Sequence, residues 1–205
     1  MADGIPRLLL FSRGDLTDAR GAEAFAAEVR GLAMAGLPGL VLREPGLADG
    51  LALDLARALR SDLPWLAVHD RVHVARAAAA DGVHLGWRSL DPVAAREVAG
   101  GLALGLSTHA PDDPKTWAGP DYLVHGPVAP TPSKAGLLEP IGVSGFARCV
   151  AVRPAPVPVL ALGGVTAALV PELLDAGAHG VAVIGAVLGA DEPRAALLDL
   201  LDALG

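Results

Sequence analysis

Cysteine is almost missing from this chain. One residue, Cys149, among 205 excludes an internal disulfide and leaves no thiolate cluster for zinc, which suits a reducing compartment. Aromatic residues are scarce at 3%, so any core has to be built from alanine, leucine and valine. An excess of positive charge is also lacking. With 16 basic against 23 acidic residues and a net charge of -7, the chain is a poor match for a nucleic-acid surface, which needs clustered cations. A small anionic ligand stays open, because one focused pocket can be basic on an acidic protein. Long apolar runs are absent too. Arg7–Phe11 is too short and wrongly flanked for a signal peptide or a membrane span, so a cytoplasmic protein without a membrane partner is expected. No charge run, low-complexity stretch or linker marks a boundary, so one domain over residues 1–205 is expected.

What the chain does have is apolar bulk in a repeating order. Hydrophobic residues make up 52% and charged residues 19%, enough to bury a sizeable core. Eight short apolar runs lack apolar/polar alternation, as strands covered on both faces do. They are Arg7–Phe11, Leu37–Leu42, Trp65–Val68, Gly82–Leu85, Leu102–Leu106, Tyr122–Val124, Val157–Leu162 and Gly180–Ile184. Between them the spacing predicts helices near 21–35, 48–60, 71–79, 92–99, 112–118, 143–152, 167–176 and 193–204. Pro92, Pro171 and Pro193 stand at helix first turns, and Gly36 and Gly177 at helix ends. Eight strand-then-helix units fit an α/β single-domain (β/α)8 TIM barrel. A doubly wound sheet is the alternative, because periodicity does not show closure. In a barrel, polar residues at strand C-terminal ends become the candidates for chemistry.

Six strand ends carry candidates. The second ends in Arg43-Glu44, which reads either as a salt-bridged rim or as an anion clamp with a guanidinium fork. The third ends in His69-Asp70-Arg71. Asp70 could cap a helix or hold a divalent cation, and His69 could move a proton. His84, inside an apolar run, reads as a satisfied core histidine. Ser107-Thr108-His109 follows the fifth strand, where hydroxyls either cap the next helix or touch a ligand. The sixth is followed by Gly126-Pro127-Val128-Ala129-Pro130-Thr131-Pro132-Ser133-Lys134, a proline-stiffened loop with paired hydroxyls and a point charge suited to phosphate. Gly163-Gly164 and Ile184-Gly185 follow the seventh and eighth strands, where barrels commonly bind a phosphate through backbone N–H groups.

These segments, together with Val41-Leu42-Arg43-Glu44, His69-Asp70-Arg71-Val72 and Ala80-Asp81-Gly82-Val83-His84-Leu85-Gly86, resemble the thiamine phosphate synthase and thiazole tautomerase family over nearly the whole length. The resemblance implies a (β/α)8 barrel. It also implies one of two reactions on a small phosphorylated thiazole. In the synthase, an aminopyrimidine diphosphate ionises to a carbocation that the thiazole nitrogen captures, with Mg2+ on the departing diphosphate. In the tautomerase, a proton moves on a thiazole carboxylate phosphate, and no cofactor is needed. The thiazole-phosphate half of the site matches the family through Thr131, Ser133, Gly163, Gly164, Ile184 and Gly185, and Arg43, Ser107 and Lys134 match as well. The diphosphate half departs from the family pattern. Val41 replaces a glutamine, Pro45 a lysine, His69 an asparagine and Ser89 the second metal-binding aspartate, which leaves Asp70 as the metal ligand if the synthase reading holds. Tautomerases carry a histidine where this chain has Pro127. His125 lies two residues earlier, and an extended segment would put it on the same side. The expectation is therefore a metal-independent isomerase with His125, His69 or Glu44 as proton shuttle. The Mg2+-dependent synthase is the alternative, a non-catalytic thiazole-phosphate-binding barrel is the third, and a homodimer is allowed.

Overall fold

A computed structural model describes residues 4–110, 112–131, 138–153 and 157–205. Eight parallel strands close into a barrel in sequence order: β1 Leu8–Phe11, β2 Leu40–Leu42, β3 Leu66–His69, β4 Gly82–Leu85, β5 Ala103–Thr108, β6 Tyr122–His125, β7 Val159–Leu162 and β8 Gly180–Val183. Closure is seen at β1, where Leu10 pairs with Leu40 of β2 on one side and with Val183 of β8 on the other. A closed barrel, not a doubly wound sheet, is the architecture. The helices are α1 Ala19–Met34, α2 Asp49–Arg60, α3 Val72–Ala77, α4 Pro92–Ala99, α5 Gly142–Val152, α6 Val170–Asp175, α7 Gly185–Leu188 and α8 Pro193–Leu204.

The strands read as continuous apolar runs because both of their faces are buried, yet the two faces meet different partners. Leu8, Leu10, Leu40, Leu42, Leu66 and Val68 join the large cluster under the helices. Leu9, Phe11, Val41, Ala67, Tyr122, Val124, Leu160 and Ala182 form a separate cluster filling the barrel. Cys149 lies in the helical layer, free and buried, and burial pushes its thiol up to about 12.

Two expected helices differ. The 112–118 stretch forms only a 3-10 turn, Pro114–Trp117, opened by Asp113 accepting from Lys115 N at 3.0 Å. The 167–176 stretch divides into a 3-10 turn, Ala167–Leu169, and α6. The short α7 has no counterpart among the expected elements, because four residues are too few to show a helical period.

At the N-terminal face, one device recurs two βα units apart. Asp81, ahead of β4, accepts from Leu66 N at 2.8 Å and pairs with Arg60 of α2 at 3.1 Å. Asp121, ahead of β6, accepts from Leu104 N at 2.8 Å and pairs with Arg96 of α4 at 2.6 Å. Each carboxylate ties a loop to a neighbouring strand and to the helix that precedes it. No helix among the described residues is long and apolar enough to cross a membrane.

Candidate active site

A cavity of roughly 530 Å³ opens at the strand C-terminal ends. It is lined by Arg43, Glu44, Pro45, His69, Asp70, Arg71, Gly86, Trp87, Arg88, Ser107, His109 and Leu162, with Leu42, Ala52 and Val68 beneath. Residues 43–45, 69–71, 86–88 and 107–109 each continue directly from a strand, so the barrel itself brings these four segments together.

Asp70 sits at the bend leaving β3 with φ 62, a left-handed conformation that a non-glycine residue adopts at a cost. Its N–H donates to His84 O at 3.0 Å. Burial pulls the carboxyl pKa up, but hydrogen bonds from His69 and Ser89 outweigh it and hold the group below its ordinary value. His69 Nδ1 lies 3.3 Å from Asp70 Oδ2. The Ser89 hydroxyl donates to Asp70 Oδ1 while accepting from Gly86 N at 2.6 Å. Asp70 is therefore not a simple helix cap, since Arg71 occupies the cap position of α3 without a side-chain bond.

On the β2 side, Arg43 and Glu44 do not form the salt-bridged rim that their adjacency allows. Glu44 is buried, and its two oxygens accept from Gly14 N at 3.0 Å and Leu16 N at 2.8 Å, which fastens the loop after β1. With both oxygens engaged, Glu44 is an anchor, and it is withdrawn as a proton shuttle. The Arg43 backbone is held by Ser12 Oγ, which accepts from Arg43 N at 2.7 Å, and the Arg43 side chain reaches the cavity. Arg71 donates to the carbonyls of Glu44 at 3.3 Å and Pro45 at 3.1 Å and lies 3.3 Å from Asp49.

Ser107, at the end of β5, lines the cavity. Thr108, the next residue, points the other way and is bonded to His125. His109 donates from Nδ1 to Gly126 O at 2.8 Å and lines the cavity.

The other side of the barrel mouth carries the glycine loops. Gly163 and Gly164 have φ of 92 and 66, and a Cβ on either would collide with the loop after β6: 2.6 Å from Pro127 Cβ at Gly163, 2.6 Å from Pro130 O at Gly164. Hydrogen bonds from Val128 N to Leu162 O and from Ala129 N to Gly163 O, both 2.9 Å, lock these loops together, with Thr131 beside Gly163. Ile184 precedes α7 and Gly185 opens it. These residues adjoin the cavity through Leu162 and do not line it. Ser133 and Lys134 lie outside the described residues.

His125 is not in the cavity. Tyr122 and Val124 face into the barrel, so alternation turns Leu123 and His125 outward. The ring is 1% exposed, lies against Trp117 and Phe146 at 5.5 and 6.4 Å, and bonds Thr108 Oγ1 at 2.8 Å. Burial first, and the neighbouring His109 second, push its pKa down to about 4. Because β6 ends at His125, two-residue spacing does not carry its orientation on to position 127. His125 is corrected from proton shuttle to packing residue.

Arg71, His109, Trp87 and Arg88 line the site as well. The signal available for them was position: each lies within three residues of a strand end, the place where barrel enzymes keep their chemistry. Arg88 stacks its guanidinium 4.3 Å from the centroid of the Trp87 ring.

A closed (β/α)8 barrel with a polar cavity at its C-terminal rim, flanked by glycine loops after β7 and β8, defines a barrel enzyme. Residues 14–187 match the family described as thiamine monophosphate synthase. The chain is 47% identical over 164 residues to the thiamine-phosphate synthase of Salinispora tropica, covering 76% of this chain and 77% of that one. It is 40% identical over 207 residues to that of Mycobacterium sp. strain KMS, covering 92% and 90%. A solved thiamine phosphate pyrophosphorylase from Pyrococcus furiosus superposes with a TM-score of 0.79 at 30% identity, covering 97% and 95% of the two chains. The chain belongs to the thiamine monophosphate synthase family.

Proposed function

We propose that this chain is a thiamine-phosphate synthase, the alternative and not the first of the expected reactions. It would join an aminopyrimidine diphosphate to a hydroxyethylthiazole phosphate and release pyrophosphate. The observation that carries the reading is the cationic wall of the cavity. Arg43, Arg71 and Arg88 line it, and Asp70 is the carboxylate there whose oxygens are not both taken by backbone N–H groups. That arrangement suits an anion whose charge grows as the reaction proceeds. The relatives quoted above support the same reading by name.

The departures at Pro45 and Ser89 have local answers. Arg71 donates to the Pro45 carbonyl, so a guanidinium stands beside the position that carries a lysine in the family. Ser89 is a neutral donor that holds Asp70 by one oxygen.

Mg2+ is implied by the family, and the donor set fits it on one condition. Mg2+ takes oxygen ligands and is commonly bound by one or two carboxylates plus substrate phosphates. Asp70, 41% exposed at its side chain, is the carboxylate for that purpose, and the remaining ligands must come from the diphosphate and water. The ion, once bound, neutralises leaving-group charge. Arg43 and Arg71 bind and orient the diphosphate. As the carbon–oxygen bond breaks, the electron pair passes to the diphosphate oxygen, where these guanidiniums meet the new charge. The thiazole nitrogen then forms the carbon–nitrogen bond. The glycine loops after β7 and β8, with Thr131, Ser133 and Lys134, are assigned to the thiazole phosphate.

One observation favours a second reading. His69 and Asp70 form a histidine–carboxylate pair inside the cavity, an arrangement able to move a proton without metal. Both readings are tested by supplying the two synthase substrates with and without Mg2+, and separately the thiazole carboxylate phosphate. Mg2+-dependent thiamine phosphate is the expected product. Its absence, with metal-indifferent turnover of the carboxylate, would replace the synthase by the isomerase.

A further inference from the structure

Beneath the cavity floor the barrel holds a polar chain in a chain-poor place. His84 of β4 is wholly buried, and so is Tyr122, the protein's single tyrosine. Tyr122 Oη lies 3.0 Å from His84 Nδ1, and His84 Nε2 lies 2.9 Å from Ser107 Oγ, which faces the cavity. Phe11 closes the ring of His84 edge-on at 5.0 Å. β5 makes room for the pair with Gly105, where a Cβ would fall 2.1 Å from the Tyr122 ring and 2.5 Å from His84 Nδ1. Any other residue at 105 would break the chain of contacts.

The polarity of this chain follows from counting donors. A phenol has one O–H, and its sole hydrogen-bond partner among the described residues is His84 Nδ1. A phenol buried at neutral pH is protonated. The phenol keeps its proton and spends it on Nδ1. A neutral imidazole that accepts at Nδ1 carries its proton on Nε2, and it donates that proton to Ser107 Oγ. Ser107 Oγ then has one lone pair taken from below, and its own O–H is left to point into the cavity. The opposite polarity would strand the buried phenolic proton without an acceptor, a cost of about 1–3 kcal/mol.

The geometry points to His84 as a positioning residue, set by Tyr122, that frees the Ser107 O–H to donate to an anionic oxygen of the substrate. A serine free to rotate serves donors and acceptors alike. One whose oxygen accepts from an imidazole N–H keeps its own O–H for an acceptor in the cavity. The inference rests on the proposed reaction for the identity of the anion, a diphosphate oxygen, and on geometry alone for the polarity.

Two readouts test it on the full chain. In long-range 1H–15N spectra of [15N]histidine-labelled protein at pH 7.5, with His84 assigned through His84→Gln, a bare Nδ1 and a protonated Nε2 are expected. Tyr122→Phe is expected to remove that bias, and it serves as the test if His84→Gln does not fold. Calorimetric titration with inorganic pyrophosphate is the second readout. Ser107→Ala is expected to weaken binding on the order of 10-fold, the size of a hydrogen bond to a charged group. Tyr122→Phe should weaken it less, and the double variant no more than Ser107→Ala alone. An Nδ1-protonated His84, or fully additive losses in the double variant, would overturn the relay. An intact Nε2–H tautomer in a protein that makes no thiamine phosphate would overturn the reaction and leave the relay standing.

Discussion

Acid should reveal what His125 does. Its ring is buried between the barrel and the helical layer, with a folded-state pKa near 4 against about 6.5 for a solvated imidazole. The folded value is the lower one, so between these limits the unfolded chain binds a proton that the folded chain refuses. Stability is therefore fully present above about pH 6.5 and is lost as pH falls towards 4. Working the linkage through, His125 alone should cost about 2.5 kcal/mol between pH 7 and pH 4.5. His84 pulls in the same direction, so the wild-type slope by itself does not isolate His125. The comparison that does is His125→Gln, which keeps a polar group near Thr108 and cannot titrate. Urea midpoints for both proteins at pH 7 and pH 4.5 give the difference of differences. The variant, whatever its stability at neutral pH, should lose about 2.5 kcal/mol less on acidification. Its turnover at pH 7.5 should stay within a few-fold of wild type, because the ring touches nothing in the cavity. An unchanged acid slope would refute the burial argument. A turnover loss of 100-fold or more in a folded variant would restore His125 as a proton shuttle.

Asp70→Asn keeps the shape of the β3 exit and removes the carboxylate. Mg2+-dependent turnover should fall on the order of 10³-fold with the far-ultraviolet spectrum unchanged, as checked in a coupled pyrophosphate-release assay. Retained activity would move the metal elsewhere. Glu44→Ala leaves the N–H groups of Gly14 and Leu16 without their buried acceptor, and thermal or urea unfolding should show a loss of about 2–4 kcal/mol for the two bonds together. A stability within 0.5 kcal/mol of wild type would show that water replaces the carboxylate there.

The strands were legible because burial on both faces writes itself as uninterrupted leucine and valine, as at Leu8–Leu10 and Leu40–Leu42. The same property hid orientation. A run buried on both sides carries no polar mark to show which residue faces the barrel, and His125 was misplaced for that reason. Tyr122 held the missing information, since alternation from an inward Tyr122 turns His125 outward, but nothing in the sequence says that Tyr122 faces inward. The strand-end polar groups at 43–45, 69–71 and 107–109 were readable as one site because barrel topology gathers strand ends whatever the loops do. The capture of Glu44 by the loop after β1 was not readable, because its partners are backbone N–H groups thirty positions away in a loop without a pattern. His84 was rightly read as a satisfied core histidine. Its partners Tyr122 and Ser107 come from two other strands, which only register brings level.

The carboxylate ties of Asp81 and Asp121 mark off two adjacent strand pairs of the barrel wall, β3 with β4 and β5 with β6. Each tie spans a helix end, the strand after it and the loop before the next strand, and then stops. A chain break between β4 and α4 leaves both ties whole, whereas a break between β3 and β4 severs the first. Complementing fragments, circular permutants and grafts between relatives should accordingly tolerate joints at 86–91 better than joints at 70–80. The pair of strands, with its own ionic rivet at the base, is the part that can be exchanged.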